Sequence, residues 1–241
     1  MIVFATTRRI FAQLRNDRRT VAMVVLLPSM LMVLLRYVFN SAAAFTETAP
    51  ALLGIFPFVV MFLITSVGTL RERTSGTLER LMTMPLSRLS LLLGYALAFG
   101  LLAVIQVAVV TAISLWWLGF TVSGSVPLLV LIAVLDALLG TALGLFVSAF
   151  ARTEFQAVQF LPLFALPQIL LCGLFAPRGG MASVLHWFSD VLPLSYAVDA
   201  MNRVTASTHV DSALGVDFAV IAGSAVLALF LGSATLRRKT P

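Results

Sequence analysis

The sequence predicts an all-α polytopic membrane protein with six transmembrane helices. Hydrophobic residues make up 60% of its 241 residues and charged residues only 11%, whereas ordinary soluble domains carry ~25% charged residues. The mean hydropathy is +1.04. So few charges could not cover a water-soluble chain, and lipid must therefore surround most of it. We expect a single membrane domain over residues 1–241, with no folded soluble domain and no cleavable signal peptide.

Six apolar runs are long enough to cross a membrane, because ~20 helical residues span the ~30 Å hydrocarbon core. Residues 89–135 carry no charge and are too many for one crossing, and the turn-rich stretch 119–127 divides them in two. Pro162 and Pro167 interrupt the fifth run and free backbone carbonyls there, which could form a hinge or a polar lining, or the prolines could simply produce a static kink. The predicted spans are residues 21–39, 51–70, 91–118, 128–150, 155–176 and 218–236.

The placement of arginine and lysine predicts the orientation. Thirteen of these residues lie before the first span, in alternate connections and in the tail, and three lie on the other side. By the positive-inside rule both termini are cytoplasmic, and we expect the plasma or inner membrane of a prokaryote. The thirteen are Arg8, Arg9, Arg15, Arg18, Arg19, Arg71, Arg73, Arg80, Arg88, Arg152, Arg237, Arg238 and Lys239; the three are Arg36, Arg178 and Arg203.

Two stretches are amphipathic and do not span. Before the first span, apolar positions recur at helical spacing opposite Arg8, Arg9 and Arg15, which predicts an N-terminal helix lying in the membrane interface. After the fifth span, the apolar stretch 184–192 is too short to cross and is bounded by prolines, which predicts a re-entrant or interfacial segment on the outer side. The apolar positions of the first stretch are Val3, Thr7, Ile10, Phe11 and Leu14.

The connection between the second and third spans contains a short predicted helix. Gly76 breaks the exit from the second span, Thr77 can cap a new helix, and Pro85 ends it. Its apolar face is formed by Leu78, Leu81 and Met82, while Glu79, Arg80 and Thr83 point elsewhere. Such a ridge either docks into a groove on another protein or rests on the lipid surface, and the residues alone favour neither.

Two motifs carry a resemblance to a known family. The first is Arg-Glu-Arg-Thr-Ser-Gly-Thr-Leu-Glu-Arg-Leu-Met-Thr-Met-Pro-Leu-Ser-Arg, from residue 71, followed by Leu-Leu-Leu-Gly-Tyr-Ala-Leu-Ala from residue 91. The second is the outer-segment sequence 192–201, with Pro193, Ser195 and Tyr196. Together they resemble type-2 ABC exporter permeases, the group of daunorubicin-type, nodulation-factor and polysaccharide exporters. Arg203 lies slightly later than the arginine usual in that family.

The resemblance implies a coupling helix at residues 77–84 that meets a separate ATP-binding subunit. Glu72 and Glu79 match the family's acidic positions, and Gly76 matches its glycine. The resemblance further implies two copies of that ATPase, which bind ATP and magnesium and drive the permease between inward- and outward-facing states. No cofactor is expected on this chain.

The sequence also argues against enzymatic and nucleic-acid functions. A phosphate-binding loop needs GxxxxGK[ST], yet the only lysine is Lys239 in the tail. His186 and His209 stand isolated on the predicted outer side, and a single cysteine, Cys172, allows neither a disulfide nor a thiolate metal site. The basic residues fall in short pieces between spans, which is typical of topology signals and not of a nucleic-acid patch.

Polar and small residues inside the predicted spans supply the remaining candidates. Asp136 is an acid well inside the fourth span, where a charge is costly; it belongs either to a substrate path or proton-sensitive switch, or to the packing as a protonated or hydrogen-bonded group. Gly140 and Gly144 form a GxxxG motif that lets helix backbones approach closely. Which helix they meet cannot be read from the sequence.

These observations predict an exporter permease that works with a second copy of itself or a paralogue. Few fixed charges in the spans favour an amphipathic cargo, such as a drug, a lipid or a glycolipid or polysaccharide, over an ion. The leading alternative is a secondary transporter driven by ions or protons with Asp136 as its coupling residue, although no internal repeat is evident. A membrane-embedded enzyme and a non-transporting scaffold are further alternatives.

Overall fold

Helices make up almost all of the computed structural model, which describes residues 2–75, 88–208 and 211–235. Six helices in these ranges are long and apolar enough to cross a membrane: Arg18–Phe39, Ala42–Thr74, Leu89–Trp116, Val126–Ser148, Glu154–Leu171 and Ser212–Thr235. No strand occurs among the described residues. The predicted all-α class with six spanning helices is therefore confirmed. In chain order the helices are α1 (Ile2–Asn16), α2 (Arg18–Phe39), α3 (Ala42–Thr74), α4 (Arg88–Trp116), α5 (Val126–Ser148), α6 (Glu154–Leu171), α7 (Ser183–Val191), α8 (Pro193–Ala206) and α9 (Ser212–Thr235).

The second spanning helix, α3, is longer than the predicted span 51–70. It begins at Ala42, where the Ser41 hydroxyl accepts a hydrogen bond from the Ala44 N–H, and runs for 33 residues to Thr74. A helix of that length measures ~50 Å, well beyond the ~30 Å hydrocarbon core. The apolar pattern underestimated α3 because Glu47 lies in its first turns, which remain helical outside the hydrocarbon.

Two other helices end earlier than predicted. Helix α6 stops at Leu171 instead of residue 176, because Gly173 adopts a positive φ of 97° that reverses the chain. Helix α4 stops at Trp116, and Gly119, with φ 75°, turns the chain towards α5. The Arg36 guanidinium donates to the Leu118 carbonyl at 3.0 Å, which ties the end of α2 to this turn.

The centre of the bundle is formed by α3 and α5, and α2 and α6 lie at its periphery. Buried side chains line most of α3 and α5, whereas apolar side chains of α2 such as Met23, Leu26 and Met30 are about two-thirds exposed. Exposed apolar surface on this scale marks contact with lipid or with another subunit. The periphery therefore supplies the surface that meets lipid or another subunit.

The predicted N-terminal amphipathic helix, α1, packs on the start of α4. Thr7 and Ile10 are buried and Arg8 and Arg15 are exposed, as the pattern predicted. Arg9, predicted on the polar face, instead turns inwards towards Glu72. We call the side of the bundle that carries α1, the end of α3 and the α5–α6 connection the basic side, and the opposite side the acidic side.

On the acidic side, the predicted re-entrant stretch is a two-helix segment. Helix α7 exposes its apolar side chains, including Val184 and Trp187, and buries Ser189. Helix α8, which the sequence did not predict, follows directly and buries one face against α3, α5 and α9. At 14 residues α8 is too short to cross a membrane, so it inserts into the acidic half of the bundle only.

Candidate functional site

One carboxylate joins three helices at the basic side. Glu72, near the end of α3, accepts a hydrogen bond from the Arg9 guanidinium of α1 at 3.0 Å and another from the Tyr95 hydroxyl of α4. Arg9 also donates to the Tyr95 oxygen at 3.2 Å. The Glu72 side chain is 17% exposed and Tyr95 is 1% exposed, so this ion pair is shielded from solvent more than a surface pair would be. Glu72, the acidic position that the resemblance singled out, is thus the centre of a cluster.

Gly94 explains how α1 approaches α4 closely enough to complete the Glu72 cluster. A Cβ atom added at Gly94 would lie 2.7 Å from Cβ and Cγ2 of Thr6, closer than real side chains come. The Thr7 hydroxyl donates to the Gly94 carbonyl at 3.2 Å. Gly94 and Tyr95 both belong to the family motif, but the sequence analysis gave neither a role. In the structure Gly94 leaves room for α1, and Tyr95 donates a hydrogen bond to Glu72.

Two arginines beside Glu72 extend the contacts of α3 to the α5–α6 connection. Arg71 forms a two-pronged ion pair with Glu154 at the start of α6, at 2.7 Å and 2.9 Å. Arg73 donates to the Ser148 carbonyl at the end of α5. The Arg71–Glu154 pair is more than half exposed, so it adds little stability. The pair matters for the position of α3: together with the contacts of Glu72 and Arg73, it links the end of this helix to α1, α4, α5 and α6.

The whole of the predicted coupling helix, residues 77–84, lies outside the described residues. The connection that contains it, residues 76–87, directly follows the Glu72 cluster on one side and precedes α4 on the other. The predictions for its residues stay predictions, as does the isolation of His209. The coupling residues concerned are Gly76, Thr77, Leu78, Glu79, Leu81, Met82 and Pro85.

The GxxxG glycines of α5 meet α3. A Cβ added at Gly140 would lie 2.4 Å from the Phe58 carbonyl oxygen, and one added at Gly144 would lie 2.6 Å from that of Phe62. The helix backbones therefore approach so closely that no larger residue fits without a shift. This contact joins the two central helices of the bundle over one full turn.

Asp136 lies one turn before Gly140 and is completely buried between α3, α5 and α8. A Cβ added at Gly54 of α3 would be 3.4 Å from its Oδ2 and 3.3 Å from the Met201 methyl of α8. Neither carboxylate oxygen has a hydrogen-bond partner among the described residues. In this conformation Asp136 faces protein on all sides and does not line an open path.

The outer-segment motif holds α8 against α6 and α7. Pro193 is the first residue of α8, the position at which proline is best tolerated. The Ser195 hydroxyl lies 3.1 Å from that of Ser189, and Ser189 donates to the Leu171 carbonyl at 2.8 Å. The Tyr196 hydroxyl donates to the Asp190 carbonyl at 2.7 Å. The three predicted residues therefore fix the α7–α8 corner.

Arg178 is the residue of this corner that sequence reasoning missed. Its guanidinium donates to the Asp190 carboxylate at 2.5 Å, to the Ser189 hydroxyl at 2.8 Å and to the Asp199 carboxylate. The guanidinium carbon, Cζ, lies 5.4 Å from the centre of the Tyr196 ring. The side chain is only 14% exposed. A signal was present, because Arg178 is one of three cationic residues on the side predicted to be outside.

Arg203 supplies a second, looser ion cluster on the acidic side. It lies 3.5 Å from Asp211 and 3.6 Å from Asp217. Helices α8 and α9 are thereby linked where they approach each other. The later position of this arginine thus brings it beside Asp211, which directly precedes α9, and Asp217 of α9.

The remaining candidates show no arrangement typical of catalysis. The Cys172 thiol is buried and donates to the Ile169 carbonyl at 3.2 Å. His186 pairs with Asp190, one turn along α7, at 3.2 Å. Within the described ranges, no three His, Cys, Asp or Glu side chains come together as metal ligands would.

A family comparison decides what kind of protein this arrangement belongs to. The model of the ABC-2 type transporter family matches residues 2–204, which cover the Glu72 cluster, the α3–α5 contact and the α7–α8 corner. The chain belongs to the ABC-2 type transporter family. The resemblance seen in the two motifs is thereby confirmed.

Individual ABC-2 relatives are similar over parts of their length. The chain is 28% identical over 206 residues to "Probable multidrug ABC transporter permease YbhS" of Escherichia coli, which covers 85% of this chain and 54% of the relative. It is 26% identical over 171 residues to "Linearmycin resistance permease protein LnrN" of Bacillus subtilis, covering 70% and 44%. To "ABC transporter G family member 20" of Dictyostelium discoideum it is 28% identical over 156 residues, covering 65% and 21%. The matched regions thus span between a fifth and about half of these relatives.

Proposed function

We propose that this chain is the membrane-spanning subunit of an ABC exporter that moves an amphipathic substrate out of the cytoplasm with ATP hydrolysed by a separate subunit. The family match supports the transporter class. The names of the relatives, a multidrug permease and a linearmycin resistance permease, support export of amphipathic compounds. The observation that carries the proposal is the Glu72 cluster, which ties the two helices flanking residues 76–87 to each other and to α1.

The cluster gives the predicted coupling helix a route to the spanning helices. Residues 76–87 connect the end of α3 to the start of α4, and Glu72 and Tyr95 join these two ends directly. Arg71 and Arg73 carry the same end of α3 to α6 and α5. A partner that pushes on residues 76–87 therefore moves α3 together with the helices joined to it, and does not move that connection alone.

The motor belongs to a partner in this proposal. The 241 residues contain no GxxxxGK[ST] sequence that could cradle the phosphates of ATP. Two ATPase subunits with ATP and magnesium, and a second permease copy or paralogue, complete the transporter. The thirteen-to-three distribution of basic residues supports a cytoplasmic location for the basic side and for residues 76–87.

Co-purification tests the partnership. The double variant Leu78→Asp, Leu81→Asp places charge on the predicted apolar ridge and is expected to abolish binding of the ATPase subunit. The matched control, Thr83→Asp, adds charge on a position predicted to point away and is expected to retain the ATPase. Equal retention by both variants would refute docking through this ridge.

Transport into inverted vesicles tests the route through Glu72. Glu72→Gln keeps the shape of the side chain and removes its charge, so transport per ATP hydrolysed should fall about tenfold, because hydrogen bonds to charged groups contribute roughly 1.5–3 kcal/mol. Glu154→Gln weakens the Arg71 link to α6 and should have a smaller effect, because that ion pair is more than half exposed.

One outcome would favour the secondary transporter instead. If the purified chain moves substrate without nucleotide or a partner, driven by a proton gradient, and Asp136→Asn abolishes that movement, the exporter proposal is wrong. The complete burial of Asp136 without a hydrogen-bond partner among the described residues is the observation that makes this measurement necessary.

A further inference from the structure

A cavity of about 240 Å³ lies on the acidic side between α3, α8 and the chain that follows α6. The first turns of α3 supply Glu47, Thr48 and Ala51, and α8 supplies Asn202. Residues 173–177 form the remaining wall. The cavity is separate from the Glu72 cluster and from the buried Asp136, and neither of these uses it.

The position of the cavity along α3 puts it at the level of lipid headgroups. Glu47 is the sixth residue of α3 and precedes the predicted hydrocarbon segment, residues 51–70, by one helical turn. Because α3 is ~50 Å long and the hydrocarbon core is ~30 Å thick, these first turns extend beyond the core. A ligand in the cavity could therefore keep a polar group in the interface and an apolar part in the membrane.

The wall formed by residues 173–177 is held in place. Arg178 follows it directly and is fixed by Asp190, Asp199 and Ser189. The Arg178 side chain also covers Gly173, since a Cβ added at this glycine would lie 3.5 Å from Arg178 Cγ. The cavity is thus bounded by secured elements, as preformed binding sites are.

Charge distinguishes Glu47 from the other acids of this side. Asp190 and Asp199 pair with Arg178, and Asp211 and Asp217 lie beside Arg203. Within the described ranges, no cationic side chain lies within ion-pair distance of Glu47. An exposed carboxylate in a cavity, with no cation of its own, attracts a cationic group.

The other lining residues define the rest of the ligand. The Thr48 hydroxyl is already bonded to the Ala44 carbonyl at 3.0 Å, which leaves the Glu47 carboxylate and the exposed Asn202 amide as polar contacts. Phe175 is 70% exposed at the rim, and its ring offers an apolar surface and a face for a cation. Acid, amide and aromatic ring together fit an organic cation that carries an apolar body.

We propose that this cavity binds the cationic nitrogen group of an amphiphile, with Glu47 as its counter-ion and Phe175 against its apolar part. Two sources share this chemistry: the ammonium headgroup of phosphatidylethanolamine, and a cationic cargo leaving the bundle. The second source rests on the proposed export function, whereas the binding site itself does not.

Equilibrium binding to the full chain in maltoside micelles tests the site, with rhodamine 6G as a fluorescent organic cation and anisotropy as the readout. Glu47→Gln should weaken binding about threefold to fivefold, the range expected for one partly exposed charge contact. Asp211→Asn is the matched control, because it removes an acid from the same side but outside the cavity, and its affinity should stay within about twofold of the unmodified chain.

A blocking variant and two competitors complete the test. Ala176→Trp fills the rim from an exposed loop position and should abolish saturable binding. If dihexanoyl phosphatidylethanolamine displaces the dye and dihexanoyl phosphatidylglycerol does not, the lipid headgroup is a ligand; if neither displaces it, the site takes cationic cargo. Equal affinities of Glu47→Gln and Asp211→Asn, or unchanged binding by Ala176→Trp, would overturn the proposal. No ATPase or nucleotide is present, so that failure would leave the export proposal standing.

Discussion

Substitution of Gly140 by alanine tests the close contact between α3 and α5. The added methyl group would lie 2.4 Å from the Phe58 carbonyl oxygen and 3.1 Å from Phe58 Cα. An ordinary contact is at least 3.4 Å, so the two backbones must separate by about 1 Å. Backbone atoms cannot rotate away as a side chain could, and strain of this kind costs roughly 1–3 kcal/mol.

Alanine also has a higher helix propensity than glycine, and this gain in stability offsets part of the cost of the clash. Replacing a helical glycine gains up to about 1 kcal/mol where the new methyl group meets nothing. Gly223 of α9 provides that case, because no atom lies within 4 Å of a Cβ added there. Gly223→Ala should therefore leave the unfolding midpoint unchanged or raise it, whereas Gly140→Ala should lower it by roughly 3–10 °C.

The single cysteine provides the assay. Cys172 is 0% exposed, so a thiol-reactive coumarin maleimide becomes fluorescent only as the bundle opens on heating in micelles. The midpoints of Gly140→Ala and Gly223→Ala are compared in the same detergent. If Gly140→Ala is as stable as Gly223→Ala, the backbones of α3 and α5 do not approach as described, and the reasoning fails.

A further prediction concerns the acidic side. Arg178→Gln should speed amide hydrogen exchange in residues 183–206 by roughly 30- to 100-fold, because it leaves the Asp190 and Asp199 carboxylates without their cation. Arg203→Gln is the control: this arginine is more exposed, and its loss should speed exchange about fivefold or less. Equal effects of the two substitutions would contradict the role of Arg178 in fixing α7 and α8.

The sequence predicted the spanning helices because hydrophobicity is a property of each segment alone. It did not predict α8, whose buried residues, such as Leu194 and Met201, alternate with Asp199 and Arg203. The burial of α8 depends on surfaces that α3, α5 and α9 offer, and a single-segment pattern cannot contain that information. The same limit explains Arg9, which was predicted to lie on a polar face but pairs with Glu72, 63 residues away in the sequence.

The candidate site was predictable in composition but not in its pairings. Glu72 and Tyr95 both lie in the quoted motif, yet their contact requires α3 and α4 to fold back beside each other. Periodicity identifies the face on which Gly140 and Gly144 lie, but it does not identify the helix they meet. The contacts of residues 76–87 and their partner stay predictions.

The contacts of α3 divide it into two mechanically different parts. From Phe58 onwards its backbone is packed against Gly140 and Gly144, and its end is fixed by Glu72. Before Phe58, Pro50 and Pro57 each remove a backbone hydrogen bond, and the first turns line the cavity. Glu47 and Glu72 are ~38 Å apart along this helix. The part from Phe58 onwards is therefore packed as one unit with α5, whereas the helix bends most easily around Pro50 and Pro57.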